Sequence, residues 1–249
     1  MARVHENEFF LLYGVIARTI HFADTFLDLA EDGKSAEAVP LARAALEHAV
    51  TAQWVFIVDG GIDRWRLSVE HDRLDHYKTL SEWLKHDELA REVQQLPEPT
   101  KGKRLPKFMD MLRELDHDRF LETSYMILSQ QVHVTHAAVM AFIEGDEDGN
   151  PQLVAPGDYA YAYQATYVAA VACMLARWII AKLTNDVDEL RVLDSLSDEL
   201  YLPVTLIDQL PEHKRRRDLA TDMGGTEPVA SRHRRRAGNE PSRVIAQPD

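Results

Sequence analysis

The sequence predicts an all-α protein, a multi-helix bundle of long antiparallel helices followed by a disordered C-terminal tail. Apolar residues recur at steps of three and four, which is the period of a helix face rather than of a strand. Only 11 Gly and 11 Pro punctuate the 249 residues, too few for the many turns of an all-β fold. Beyond Pro211 the Arg runs Lys214–Arg217 and Arg232–Arg236 alternate with Gly, Pro, Ser and acidic residues and have no apolar face to bury. The expected organisation is one helical domain over residues 1–210 and a basic tail over 211–249.

From Glu8 to Ala30, Phe9, Leu12, Ile16, Ile20, Ala23 and Leu27 mark one amphipathic helix, which Asp32-Gly33-Lys34-Ser35 ends. Pro40 suits the first turn of a second helix carrying Leu41, Ala45, Leu46, Ala49, Val50, Trp54 and Ile57, and Asp59-Gly60-Gly61 stops it. The two are expected to pair antiparallel. Asp63 can cap a third helix running to about His86, with Trp65, Val69, Tyr77, Leu80 and Leu84 on its buried side. Residues 96–106 read as an exposed loop, and a short amphipathic piece follows around Phe108, Met109 and Leu112.

A further helix is expected from Asp118 to about Ile143, with Leu121, Tyr125, Leu128, Val132, Val139 and Phe142 inward. Residues 144–157 form an acidic, turn-rich connection, after which Asp158 opens a long helix to about Lys182. Residues 159–176 carry no charge, so a membrane span has to be weighed. Gln164, Thr166, several tyrosines and many alanines keep the stretch weakly hydrophobic, and Arg177 follows at once. A central buried helix is the better reading. A last helix from about Val187 to Leu200 and a turn after Pro203 complete the body.

The net charge of −13 is uneven, because residues 211–249 hold nine Lys/Arg and six Asp/Glu while the body is strongly acidic. Nucleic-acid binding draws most of its affinity from Lys and Arg on phosphates. An acidic body disfavours it, except through the basic tail. The single cysteine, Cys173, excludes an intramolecular disulfide and suits a reducing compartment, and the N-terminus lacks the basic-then-apolar layout of a secretory signal. The expected location is the cytoplasm, with no membrane and no known partner.

The residues that could carry chemistry fall into two columns. Arg43 and Glu47 lie four apart beside Leu46 and Val50, and Tyr125, Ser129 and His133 lie four apart beside Leu128 and Val132. If the columns face each other, they form a buried polar network in which His133 is the member able to titrate near neutral pH. As a catalytic site, His133 acts as general acid or base, Glu47 orients it and Arg43 holds an anionic group. A purely structural role meets the same demand, since buried polar groups need partners and a network can fix two helices with no chemistry. The structural role is preferred.

Other clusters carry less. His71/Asp75 and Asp72/His76 are each four apart, but they read as a solvated face because no third and fourth metal ligand is evident. His133 and His136 warrant the same reading. Asp146-Glu147-Asp148-Gly149-Asn150-Pro151 alternates like a calcium loop, yet Pro151 stands where such a loop needs Gly. No nucleophile elbow, complete phosphate-binding loop or dinucleotide Gly-x-Gly-x-x-Gly occurs. Neither metal nor cofactor is expected.

The run Leu41-Ala42-Arg43-Ala44-Ala45-Leu46-Glu47, followed by Tyr125-x-x-x-Ser129-x-x-x-His133, resembles the bacterial family catalogued as domain of unknown function 5677. There a helix bearing Arg-x-x-x-Glu precedes one bearing Tyr-x-x-x-Ser-x-x-x-His, and the likeness is expected to span about residues 8–185. It implies a helical domain. A looser likeness is to HEPN-type helical ribonucleases of toxin and phage-defence systems, which use Arg-x(4 to 6)-His and would imply a homodimer. Arg43/His48, Arg66/His71 and Arg64/His71 fit that spacing, but about three such pairs are expected by chance. His133 has no arginine at that spacing. A non-enzymatic binding or interaction module is therefore favoured over a HEPN-like ribonuclease.

Overall fold

A computed structural model describes residues 6–146, 148–154 and 159–220. The first helix, α1 (Glu6–Glu31), and the second, α2 (Ser35–Ile57), form an antiparallel pair. Gly33 joins them in the left-handed region at φ 77°, with Lys34 N donating to Leu29 O and Gly33 N to Ala30 O. This pair of bonds is the Schellman closure, which favours glycine at its left-handed position. α2 begins a turn earlier than its proline implied, so Pro40 lies inside the helix rather than in its first turn. The strong helix formers Ala36, Glu37 and Ala38 continue directly from the closed turn.

α2 is buried on nearly every side. Ala38, Ala42, Ala45 and Ala49 are fully covered, and their small side chains let α1 and the long α8 (Ala162–Thr184) approach closely. Gln53, buried among apolar neighbours, is fully employed: its amide donates to Leu175 O at 2.9 Å, and its carbonyl accepts from Thr205 Oγ1 and Leu206 N. Both α1 and α8 are long and apolar enough to cross a membrane by length and composition alone. In this fold α8 is a core helix, with Val168, Val171, Leu175 and Ile179 enclosed. Ala155 to Asp158, including the residue expected to open α8, lie outside the described residues.

α3 (Gly61–Leu84) is entered through Gly60, in the left-handed region at φ 70°, and not through an Asp63 cap; Asp63 sits in its first turn. Its expected buried side is mostly open, with Val69, Tyr77 and Leu84 exposed, because α4 covers only one face of its far half. α4 (Asp87–Gln95) was not expected as a helix. It starts where His86 Nδ1 accepts from Leu89 N, and it buries little beyond Val93. The loop that follows is held down by Leu105 N donating to Ser68 Oγ.

α5 (Phe108–Leu115) and α6 (Phe120–Val132) meet at a tight corner where Asp116 Oδ2 accepts from Glu122 N at 2.7 Å. Glu122 also bonds Arg113 at 2.9 Å and Arg119 at 3.0 Å. The single helix expected to reach Ile143 instead stops at Val132 and restarts as a short α7 (His136–Met140). The β-branched run Val132, Val134 and Thr135 weakens helix propensity, and Thr135 Oγ1 accepts from Ala138 N to start the next piece. Nothing in the core awaits this segment, and Val134 is 97% exposed.

Part of the acidic connection is a two-stranded hairpin, β1 (Ile143–Gly145) against β2 (Pro151–Leu153), a local departure from the all-α class. Its Asp146 carboxylate accepts from the backbone of Asp148 and Asn150, as an Asx turn does, and is held below the ordinary carboxylate range by those bonds. No His/Cys/Asp/Glu cluster suited to a metal occurs among the described residues, and His71, Asp72, Asp75 and His76 lie along the largely open face of α3.

After α9 (Val187–Leu200) the chain returns across the core, burying Leu202, Val204, Leu206, Ile207 and Leu210, and ends in a short α10 (Arg217–Ala220). Of the tail expected from residue 211, residues 221–249 lie outside the described residues. The described part is docked: Asp59 N donates to Lys214 O, Arg216 N to Ile57 O, Lys214 pairs with Glu114 at 2.6 Å, and Arg216 pairs with Glu8 at 3.0 Å. Glu114 also accepts from Trp54 Nε1 at 2.8 Å; these partners outweigh its burial and hold its carboxyl below the usual value.

Two expectations follow for stability. A Cβ at Gly61 would press into the Val55 backbone carbonyl, so Gly61→Ala is expected to cost about 1–3 kcal/mol, read as a lower urea midpoint. Its hydrogen bonds to Arg113 and Arg119 hold the Glu122 carboxyl below the ordinary 4.5. A depressed folded pKa contributes stability that is present above the unfolded value and lost as pH falls. The wild type should therefore lose stability more steeply than Glu122→Gln below about pH 4.5, measured by urea melts across the acid range.

Candidate polar site between α2 and α6

Arg43 and Glu47 leave the one side of α2 that α6 covers, and Tyr125 comes down from α6 to meet both. Arg43 Nη2 donates to the Tyr125 hydroxyl at 2.6 Å and pairs with Glu47 Oε1 at 3.0 Å. The hydroxyl in turn donates to Glu47 Oε1 at 2.8 Å. The guanidinium also lies 4.8 Å from the centre of the Tyr125 ring, whose other neighbour is Phe108 at 4.8 Å. Three side chains thus close a triangle at a half-buried helix contact, where each bond is stronger than in water. Burial raises the Tyr125 phenol above its ordinary value, so it stays a neutral donor and acceptor.

The two expected columns do face each other, but their lower members differ from expectation. Ser129 donates only to Tyr125 O in its own helix, at 2.7 Å, and adds nothing across the interface. His133 is not buried. It lies just past the end of α6, in extended backbone at φ −100° and ψ 161°, and its ring is exposed. Its link to the triangle is Arg43 Nη1 to Nε2 at 3.5 Å, a long contact. A guanidinium can only donate, so any hydrogen bond here has Nε2 as the acceptor. The contact does not run through Glu47, because Arg43 stands between the carboxylate and the imidazole.

Chemically, the triangle ties α2 to α6 through three side chains. Glu47 Oε1 is shared by two donors, and the Arg43 Nε is buried without a hydrogen-bond partner among the described residues. Clefts of about 470 Å3 beside Asp59 and Arg216, and about 350 Å3 between Arg66 and Lys101, are lined by none of the network residues. Of the Arg/His pairs at nuclease spacing, His48 turns away from Arg43, bonding Ala44 O and packing edge-on to Phe22. Sequence reasoning missed the contact of Phe108 with Tyr125 and the corner at Glu122, since both depend on α5, whose position no local pattern reveals. Cys173 is half-buried in α8, and burial pushes its thiol up, away from reactivity.

Fold and site together define an all-α bundle protein with a polar clamp between its second and sixth helices. The chain belongs to the family of unknown function DUF5677, whose model matches residues 9–151. The match ends at the hairpin, short of the 8–185 expected; it holds both halves of the clamp and leaves α8 outside. No curated protein and no solved structure matches the chain.

The geometry makes different predictions for Tyr125, inside the clamp, and His133, outside it. Tyr125→Phe leaves Arg43 and Glu47 short of a charge-assisted bond and should cost about 1.5–3 kcal/mol. His133→Ala, at an exposed position, should change stability by no more than about 0.5 kcal/mol, against the 1 to 3 a buried histidine would imply. Urea denaturation of the two variants measures both.

Proposed function

We propose that this protein is a non-enzymatic binding or interaction module of the cytoplasm, with Arg43, Glu47 and Tyr125 serving as the internal clamp that holds α6 on α2. The observation that carries this reading is the closed triangle. The Tyr125 hydroxyl donates to Glu47 and accepts from Arg43, so both of its hydrogen-bonding roles are taken up inside the helix contact. General acid–base work by His133 needs a partner that orients it, and the side chain it contacts is a cation that only donates.

The segment beyond the clamp supports an interaction role. Val134, Val139, Met140, Phe142 and Leu153 stand exposed on α7, on the hairpin and in the short segments between α6 and β1. Several exposed apolar side chains within one short stretch of chain favour contact with another molecule.

A second reading, a HEPN-like ribonuclease, draws on one observation: Arg43 and His133 come together from distant parts of the chain at an exposed rim. In such an enzyme the imidazole would take the proton of a ribose 2′-hydroxyl and the arginine would steady the phosphate. Incubation of the purified full chain with single-stranded RNA separates the two. The expected result is no cleavage above that of a His133→Ala control. Cleavage abolished by His133→Ala, with an unchanged melting curve, would overturn the interaction-module reading.

A further inference from the structure

α1 has two unlike faces. Leu12, Ile16, Thr19, Ala23 and Phe26 are buried against α2 and α8. A second face, turned roughly a third of a turn around the helix from the buried one, carries Phe10, Tyr13, Ala17, Ile20, Asp24 and Leu27, at steps of three, four, three, four and three. Phe10 is 68% exposed, Tyr13 50%, Ile20 38% and Leu27 44%. That spacing is the a/d seam of a coiled coil, and it extends along about 26 Å of helix at 1.5 Å per residue. A single exposed apolar side chain is ordinary, whereas a seam at heptad spacing is a surface built to be covered.

We propose that a second copy of this chain covers it, with α1 packing antiparallel against α1 of the second copy across a twofold axis. The seam is complementary to itself in that orientation. An axis between Ala17 and Ile20 sets Phe10 opposite Leu27 of the second copy, Ala17 opposite its Ile20, and Tyr13 opposite its Asp24. The seam's only carboxylate then meets its only hydroxyl, twice by symmetry, and Tyr13 can donate to Asp24. Neither group has a hydrogen bond or ion pair among the described residues of one chain. A parallel pair would instead place Asp24 on Asp24, which like charge disfavours. A lipid surface would strip water from Asp24 and return no donor. The twofold makes the interface isologous, so the dimer closes and does not propagate.

Sedimentation equilibrium of the full chain across the micromolar range tests this. Dimers are expected, with Ile20→Lys weakening self-association about tenfold or more and Asp24→Leu, which removes the polar layer, tightening it by a similar factor. Circular dichroism melts of both variants should overlay the wild type at dilutions where all are monomeric. The double variant Phe10→Cys/Leu27→Cys should cross-link between copies on oxidation, since the two positions are too far apart within one helix to join, while Phe10→Cys alone should not. A wild type that stays monomeric overturns the proposal. So does an Ile20→Lys variant that dimerises as the wild type does, cross-linking of Phe10→Cys to itself, or Ile20-dependent flotation of monomers with phosphatidylcholine vesicles.

Discussion

The burial of α2 on almost every side is the constraint from which the rest of the structure follows. A helix enclosed that fully must be narrow where its neighbours cross, and Ala38, Ala42, Ala45 and Ala49 make it so for α1 and α8. It must also find a partner for each polar group it carries inward. Gln53 turns to α8 and to the returning C-terminal segment, Trp54 to Glu114, and Arg43 with Glu47 to Tyr125. The surrounding elements are therefore placed by apolar contact and then given a specific register by these few polar bonds.

That origin accounts for the polar bonds between α2 and α6 as part of how the helices are held together. Arg, Glu, Tyr and His within one small volume are the ingredients of acid–base catalysis, and also the ingredients of a well-satisfied helix contact. Here the guanidinium stands between the carboxylate and the imidazole, the hydroxyl bridges acid and arginine, and the imidazole sits at the exposed rim. The C-terminal segment obeys the same rule, since Lys214 and Arg216 dock where Glu114 and Glu8 await them.

Much of this was legible in the residues. α1, α2 and α9 follow from periodicity, and α8 from a long uncharged run. The two polar columns could be paired because spacings of four put their members on single faces. The rest depended on information that no local window holds. α4 was missed because it buries hardly more than Val93 and has almost no apolar face to recognise. Val139 and Phe142 continue the period of α6 past its end, and a period does not say whether anything lies opposite. The same extended period puts His133 on the inward side, which the break at Val132 removes.

The sequence by itself determined the class of fold, the order of the long helices and which side chains could share a face, because these are properties of 3.6-residue geometry acting on neighbours in the chain. Only the tertiary structure decided which faces are covered. The depth of His133, the docking of Arg216 and the open seam of α1 depend on groups tens to hundreds of residues away. Burial is a property of the assembled surroundings, and no residue carries it alone.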